Sequence, residues 1–308
     1  MLYTKKGLGI EICGEGLKMA LVEGGRNAFT LGAYTVASLP ADTIKFNLRE
    51  QNILNPSVFV GTVRETYLRL LTKTKRVSIS LPDTTGRVIL LDMETRFKSR
   101  EEGADLIRWK LKKSFPFNIS EAHLDYQVLE EKDTGEISLL VSIIARQVVN
   151  QYEDLFNEAG LEPNCIDFST FNLYRLFSDR LALTDNVAFM TFYGGVVTIL
   201  AFYAGVLSFY RSKEIPGRTL DPNRVFREIS SSLLVYQDKY PNYTLNEVFC
   251  SASIDDAEPF RAVVAEATGL EPVFLDINRV VSTKKGFTVD RKTLHSLTAA
   301  LGAAVRNL

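Results

Sequence analysis

The chain has 308 residues, of which 46% are hydrophobic and 24% charged, a composition typical of a globular protein with one large core or two moderate ones. Its 36 Lys and Arg residues against 37 Asp and Glu residues give a formal net charge of -1, which argues against a nucleic-acid-binding protein because neutralising phosphates requires a basic excess. Three widely spaced cysteines and two histidines favour reduced thiols and argue against a disulfide framework, a zinc site or a histidine-dependent triad.

The opening of the chain predicts a β-meander followed by a helix and a strand. The strand-like runs LGIEIC, LKMALVEG and AFTLGAYTVASL are separated by glycine-containing turns at 14–16 and 24–27. A helix is predicted over 56–73, because Pro56 suits a first helical position and apolar residues recur on one face. The run VSISLP at 77–82 then predicts a strand.

The middle of the chain predicts a small α/β block and then a strand between two helices. A strand from Arg87, a helix over 100–113 and two strands around a turn at 132–135 have their own apolar face, which indicates a subdomain. Ser99 and Glu102 have the spacing of a capping box at the helix start. A further helix is expected to end at Gly160 in a left-handed conformation, ahead of the strand EPNCIDF and the helix STFNLYRLFSDR.

The stretch VAFMTFYGGVVTILAFYAGVLSFY at 187–210 carries no charged residue and is long enough to cross a bilayer as a helix. Its regularly spaced glycines and its β-branched and aromatic residues favour three short buried strands instead. We therefore predict strands here, with a transmembrane helix as the alternative. A helix capped by Asp221, with Pro222 at its first position, is predicted to follow.

The second half of the chain thus repeats the pattern of the first. A meander followed by a helix and a strand occurs twice, about 180 residues apart. This repetition predicts two similar lobes that face each other across a cleft.

Two stretches give the chain a family resemblance. The segments KKSFPFNISEAHLDYQVL at 112–129 and ARQVVNQYEDLFNEAGLEPNCIDFSTFNLYRLF at 145–177 resemble the PilM family of type IV pilus assembly proteins, actin-like relatives of the cell-division protein FtsA. The closing segment SLTAALGAAVRNL is similar to the small-residue C-terminal helix of that family. The resemblance implies an α/β fold of the duplicated RNase H-like (actin-like) type, with two lobes and a small inserted α/β subdomain.

The resemblance also implies domain bounds. The first lobe is expected to comprise residues 1–83, 146–183 and the C-terminal helix 293–308. The inserted subdomain is expected at 84–145, and the second lobe at 184–292.

In this family, glycine hairpins hold the phosphates of Mg-ATP, and an acid holds the magnesium ion. Relatives read Asp-Ile-Gly-Ser and then Lys at the first hairpin, where this chain reads EICG at 11–14 and then Lys18. The second hairpin, TFYGG at 191–195, has no acid, and the third element, FCSAS at 249–253, lacks both expected glycines. The departures predict that hydrolysis is lost, because phosphoryl transfer depends on this electrostatic stabilisation.

Candidate site residues are accordingly few. Glu11 is the only weak metal candidate, and Glu11 and Asp167 are the weak catalytic candidates. The residues that would bind a nucleotide, if one binds, are Cys13, Gly14, Gly16, Lys18, Gly194, Gly195 and Ser251.

Several of these residues have an alternative role. Asp167, at a strand-to-helix junction, is expected to cap the following helix rather than to position a water molecule. Lys18 contacts a phosphate or simply belongs to a solvated strand face. Tyr193 is expected to pack between the lobes, and Cys13 and Cys250 to line the cleft.

The function that the resemblance implies is a non-catalytic adaptor of type IV pilus assembly. It is expected to be cytoplasmic, without membrane insertion of its own, and peripheral to the inner membrane. Its expected partner is the N-terminal peptide of a PilN-like inner-membrane protein, held in a groove between the first lobe and the inserted subdomain; self-association is left open. No cofactor is expected. The alternatives are an actin-like protein that binds or slowly hydrolyses Mg-ATP, and the cytoplasmic domain of a type II secretion L-type protein.

Overall fold

The computed structural model describes residues 5–25, 28–115, 118–242, 244–284 and 286–308. Within these ranges the strands are β1 (Lys5–Cys13), β2 (Gly16–Gly25), β3 (Ala28–Ser38), β4 (Arg76–Leu81), β5 (Arg87–Met93), β6 (Ala122–Glu131), β7 (Ile137–Ala145), β8 (Glu162–Phe168), β9 (Val187–Tyr193), β10 (Val196–Tyr203), β11 (Val206–Glu214), β12 (Glu247–Ala252), β13 (Val273–Phe274) and β14 (Ser282–Thr283). The helices are α1 (Pro56–Arg69), α2 (Arg100–Leu111), α3 (Arg146–Glu158), α4 (Ser169–Leu181), α5 (Pro222–Lys239), α6 (Ala257–Thr268), α7 (Arg291–Ser296) and α8 (Thr298–Val305).

Three sheets organise these elements. One has the order β14-β3-β2-β1-β4-β8, the second β11-β10-β9-β12-β13, and the third β5-β7-β6. In the first sheet β1, β2 and β3 are antiparallel while β4 runs parallel to β1, and in the second β9, β10 and β11 are antiparallel while β12 runs parallel to β9. The predicted α/β duplication is therefore confirmed. The third sheet is inserted into the first lobe's part of the chain, between β4 and α3.

The uncharged stretch at 187–210 forms β9, β10 and the start of β11, as predicted. Strands β9 and β10 are buried along almost their whole length, which accounts for the continuous hydrophobic sequence. Among the described residues, no helix has the length and hydropathy needed to cross a membrane.

The helix-boundary signals of the sequence are largely confirmed. Asp221 accepts hydrogen bonds from two backbone N–H groups at the start of α5, and Gly160 follows α3 with a φ of 84°. Ser99 caps α2, but the carboxylate of Glu102 accepts its hydrogen bond from the N–H of Lys98 at 2.5 Å and not from Ser99, as a capping box requires. The predicted turn at 24–27 and the Pro-Phe step at 116–117 lie partly or wholly outside the described residues.

The C-terminal helix α8 lies in the centre of the molecule. All of its residues are buried, and it packs against β1, where a Cβ atom at Gly9 would overlap the carbonyl group of Ala300. Residues of α8 share one hydrophobic core with side chains of β2, α4, β9 and β12, so this core joins the two lobes. The small residues of the closing segment are therefore required by close backbone packing.

Candidate functional site

The cleft between the lobes contains a cavity of about 600 Å³, which we call the interlobe cavity. It lies between the β1–β2 hairpin of the first lobe and the β9–β10 hairpin of the second. Residues 253–256, which lead into α6, and residues of α7 also line it. The charged residues that line it are Glu11, Glu15, Lys18, Asp83, Arg218, Asp255, Asp256 and Lys292.

A hydrogen bond joins the two lobes across this cavity. The hydroxyl group of Tyr193, at the end of β9, donates to Glu11 Oε1 at 2.7 Å, and Lys18 Nζ lies 3.4 Å from Glu11 Oε2. Glu11 is only 2% exposed. Both carboxylate oxygens of Glu11 are thus engaged by protein groups.

The same contacts perturb the neighbouring ionisable groups. Burial and then the charge of Glu11 raise the pKa of Tyr193 well above its usual value, so its hydroxyl group remains a donor. Burial alone would lower the pKa of Lys18, but the charge and hydrogen bond of Glu11, together with the effects of Cys13 and Glu15, make the net shift of this pKa upward. Burial and Glu11 also raise the pKa of the Cys13 thiol, which disfavours a reactive thiolate. The side chains around the Glu11 carboxylate are therefore the neutral hydroxyl group of Tyr193, the thiol of Cys13 and the ammonium group of Lys18, which pairs with it.

Close packing against the protein itself requires one of the two glycines of the second hairpin. Gly194 and Gly195 both have positive φ, 58° and 80°. A Cβ atom on Gly195 would lie 2.7 Å from the Cα atom of Arg218, so glycine is needed for the approach of that loop. The guanidinium group of Arg218 reaches the first hairpin, 3.0 Å from where a Cβ atom on Gly14 would lie. Protein atoms thus approach the turns of both hairpins.

Most of the residues predicted for nucleotide binding line the interlobe cavity, namely Cys13, Gly14, Lys18, Gly194 and Gly195. Gly16 and Ser251 are placed differently. Gly16 has a φ of 148° and packs against the backbone of β3, and Ser251 is a buried residue of β12 opposite Thr191. The side chain of Lys18 is only 15% exposed and its Nζ atom lies 3.4 Å from Glu11 Oε2, so Lys18 does not belong to a freely solvated strand face.

Two predictions about single residues are wrong. Cys250 does not line the cleft; it shares the face of β12 with Val248 and Ala252 and lies in the core of the second lobe. Asp167 does not cap α4, because the N-cap residue is Phe168, whose side chain makes no capping hydrogen bond. Instead its carboxylate accepts a hydrogen bond from the N–H of Phe168 and pairs with Arg306 at 2.6 Å and Arg175 at 3.5 Å.

The sequence reasoning missed Asp83. This residue follows β4 after Pro82, and its Oδ2 atom accepts a hydrogen bond from the N–H of Thr170 at 3.3 Å, while Oδ1 is buried. Burial raises its pKa to about 6. An acid immediately after the buried run VSISLP, which forms a strand parallel to β1, is the sequence signal that would have indicated this position.

The interlobe cavity does not fit a magnesium nucleotide. Its carboxylates outnumber its basic groups, and Asp255 already pairs with Lys292 at 2.5 Å. Among the described residues, no group of three or more His, Cys, Asp or Glu side chains is arranged to hold a metal ion. Glu15 and Asp83 would therefore repel an anionic ligand, and the three cations of the cavity are each paired with a carboxylate, Lys18 with Glu11, Lys292 with Asp255 and Arg218 with Glu214.

A second concave feature lies between the inserted sheet and the lobes. Two cavities, of about 610 and 460 Å³, share the residues Asp125, Ser142, Asp167 and Arg306, and we call them together the partner groove. Strand β6 borders the groove from the inserted sheet, and β8 borders it from the first lobe. Both are terminal strands of their sheets. The Asp167–Arg306 ion pair lies where the two cavities meet.

The comparisons with known proteins agree with this architecture. A family model described as "Type IV pilus assembly protein PilM" matches residues 9–197. Among solved structures, the chain is similar to that of a PilM-PilN type IV pilus biogenesis complex, with a TM-score of 0.78 and 17% sequence identity over 98% of each chain. A search of curated proteins returns no match.

Two further solved structures share the fold. One is a Bacteroides thetaiotaomicron protein with an actin-like ATPase fold and unknown function, with a TM-score of 0.50 and 14% identity over 90% of this chain and 93% of that chain. The other is the cytoplasmic domain of EpsL, an inner-membrane component of the type II secretion system of Vibrio cholerae, with a TM-score of 0.51 and 8% identity over 96% and 94%. The fold is thus actin-like, and the family match favours pilus assembly over type II secretion. The chain belongs to the PilM family of type IV pilus assembly proteins.

Proposed function

We propose that the protein is a non-catalytic adaptor of pilus assembly that holds an extended N-terminal peptide of a PilN-like inner-membrane protein in the partner groove. The observation that carries the proposal is that two terminal strands, β6 and β8, border the two cavities of the partner groove, which share four lining residues. A terminal strand leaves one row of backbone N–H and C=O groups available for an added strand. The similarity to a chain from a PilM-PilN complex supports the same partner class.

The chemistry of the groove suits such a peptide. Its larger cavity is lined by apolar side chains of β6, α4 and β10, which can receive apolar anchors, namely Val128, Leu129, Phe171, Tyr174, Leu200 and Phe202. The charged groups between the cavities are already paired, since Asp167 contacts both Arg175 and Arg306. Backbone hydrogen bonds to the peptide would thus supply the affinity, and the apolar side chains of the cavity would supply the specificity.

The proposed role needs no nucleotide turnover. Tyr193 and Lys18 engage the one acid that a magnesium site would require, Glu11, which supports an adaptor without ATPase activity. Such an adaptor would lie at the cytoplasmic face of the inner membrane, held there by its partner.

The proposal is tested by titrating a synthetic peptide of the membrane partner's N-terminus into the purified protein. Val128, which is 44% exposed and lines the groove, is replaced by Asp, and Val235, which is 49% exposed on α5, receives the same change as a matched control. We expect Val128→Asp to weaken peptide binding at least about tenfold, because a charge replaces an apolar contact, and Val235→Asp to leave it unchanged. Equal affinities for all three proteins would refute the groove assignment.

A further inference from the structure

The C-terminal end of α2 carries an exposed aromatic residue beside exposed lysines. Trp109, the only tryptophan of the chain, is 78% exposed, and Lys112 and Lys113 follow it within one helical turn. The sequence LIRWKLKKSFPFNIS at 106–120 contains four basic residues and no acidic one, although the whole chain has a net charge of -1. We call Trp109, Lys112 and Lys113 the α2 tip.

Among the described residues, the two lysines of the α2 tip form no ion pair. Of the neighbouring basic groups, Arg108 pairs with Asp105 and Lys110 donates to the carbonyl oxygen of Asp92 at 2.6 Å. Lys112 and Lys113, by contrast, have no ion-pair partner among the residues that the structure describes. Attraction to the helix dipole accounts for cations at this end of α2 but not for an indole ring in water.

We propose that the α2 tip is a contact site for an anionic lipid bilayer. The indole ring of Trp109 would enter the interface between headgroups and acyl chains, where its apolar body and its N–H group are both satisfied. Lys112 and Lys113 would meet lipid phosphates, while their methylene stems cover the ring. This is a peripheral contact of one helix end, and it goes beyond the peptide adaptor function.

The shape of the α2 tip favours a bilayer over an acidic protein as its occupant. Residues 109, 110, 112, 113 and 114 are all exposed, so this end of the helix lies at the protein surface. A specific protein interface commonly uses about 20–30 residues on each side. A bilayer needs only a protruding aromatic ring and a few cations, which is what this helix end provides.

The position of the α2 tip is compatible with the partner groove. Arg100, at the start of α2, lines the groove, and Trp109 lies nine residues further along the helix, about 14 Å away. If the groove holds a membrane protein's peptide, as proposed above, the two contacts act on the same subdomain. Each then raises the effective concentration of the other.

The single tryptophan makes the proposal directly measurable in the full chain. We expect the emission of Trp109 to shift to shorter wavelength when vesicles of phosphatidylethanolamine and phosphatidylglycerol are added, and the shift to disappear at high salt because screening removes the lysine contribution. Vesicles of phosphatidylcholine alone and soluble glycerol 3-phosphate should produce no shift. Absence of a shift with the anionic vesicles would overturn the proposal and leave an acidic protein as the occupant.

Vesicle sedimentation with variants separates the α2 tip from general charge attraction. The double variant Lys112→Glu/Lys113→Glu should lower the bound fraction at equal lipid at least about tenfold. The control Lys45→Glu/Lys213→Glu makes the same change in net charge at two other exposed lysines and should bind as the unaltered protein does.

Sedimentation that persists in the first variant, or that occurs without a change in Trp109 emission, would mean that another surface binds and would contradict the proposal. Peptide titration of the same variants keeps this outcome distinct from a failure of the groove, because the α2 tip lies outside it.

Discussion

At the residue scale, Tyr193 shows how the cleft differs from a phosphate site. The family resemblance implies an acid and a glycine at this hairpin, whereas here the phenol of Tyr193 reaches from one lobe to the other and donates a hydrogen bond to the buried Glu11. A buried carboxylate is costly unless donors satisfy it, and the donors that satisfy this one, Tyr193 and Lys18, come from opposite lobes. The Tyr193–Glu11 bond therefore links the two lobes through a group that needs its donors.

Replacement of Tyr193 by Phe tests this bond. We expect a loss of about 1–3 kcal/mol in the free energy of unfolding, because Glu11 Oε1 keeps its burial and loses its donor. Chemical denaturation measures the loss. Tyr34→Phe is the matched control, since Tyr34 packs edge-on against Phe287 and its hydroxyl group makes no described hydrogen bond. Equal stability of the two variants would show that the Tyr193–Glu11 bond contributes nothing.

Asp83 gives a prediction about pH. Its pKa in the folded protein, about 6, lies above the usual value for Asp because the carboxyl group is buried. The folded state therefore binds the proton more tightly than the unfolded state, and stability is lost as pH rises from about 4 through about 6. Asp83→Asn should remove this loss and make the protein about 1–3 kcal/mol more stable at pH 7, with no gain at pH 4.

Unfolding curves across this pH range check the expectation. Asp133→Asn, in the exposed turn between β6 and β7, removes a carboxylate of the same type without burial and should leave the pH profile unchanged. An Asp83→Asn profile parallel to that of the unaltered protein would contradict a buried, proton-binding carboxyl group.

At the element scale, most strands and helices could be predicted from the sequence because their signals are local. Alternation, glycine turns and caps such as Asp221 act within a few residues. The sequence did not reveal contacts between distant residues, such as Asp167 with Arg306 or Gly195 with Arg218. The sequence also could not predict which face of the sheet Cys250 lies on, because β12 is buried on both sides and its sequence shows no alternation.

The packing of α8 on β1 explains why glycine recurs in an otherwise regular strand. A methyl group at Gly9 would collide with backbone atoms of α8, which a rotamer change cannot relieve. We expect Gly9→Ala to lower the free energy of unfolding by at least about 1–3 kcal/mol. Thermal and chemical denaturation would measure this loss.

Gly61 is the matched control for that substitution. It lies inside α1, and nothing stands within 4 Å of an added Cβ atom. Gly61→Ala should raise stability by about 0.5–1 kcal/mol, because alanine lowers the entropic cost of forming the helix. A stable Gly9→Ala variant would mean that α8 can move away from β1, contrary to the close packing observed.

At the scale of the whole molecule, the two lobes share one core. Side chains of β2, α4, β9, β12 and α8 pack together, and the Tyr193–Glu11 bond lies beside them. An actin-like enzyme needs a cleft that closes on its nucleotide. Here protein contacts already join the lobes, which agrees with a fixed scaffold that presents the partner groove.

Mg-ATP should therefore leave the stability of the protein unchanged. A ligand at one hundred times its dissociation constant adds about 2.7 kcal/mol to the folded state, which a thermal unfolding experiment resolves readily. We expect no such rise with Mg-ATP and no phosphate release above that of the buffer, because Glu11 is held by Tyr193 and Lys18 and acids line the cavity.

Turnover that disappears in Glu11→Ala would contradict the adaptor function and restore the ATPase alternative, whereas turnover that persists in that variant would come from a contaminating enzyme. A stability rise without turnover would instead mean that the cavity binds the nucleotide as a ligand, and would contradict the fixed-scaffold interpretation.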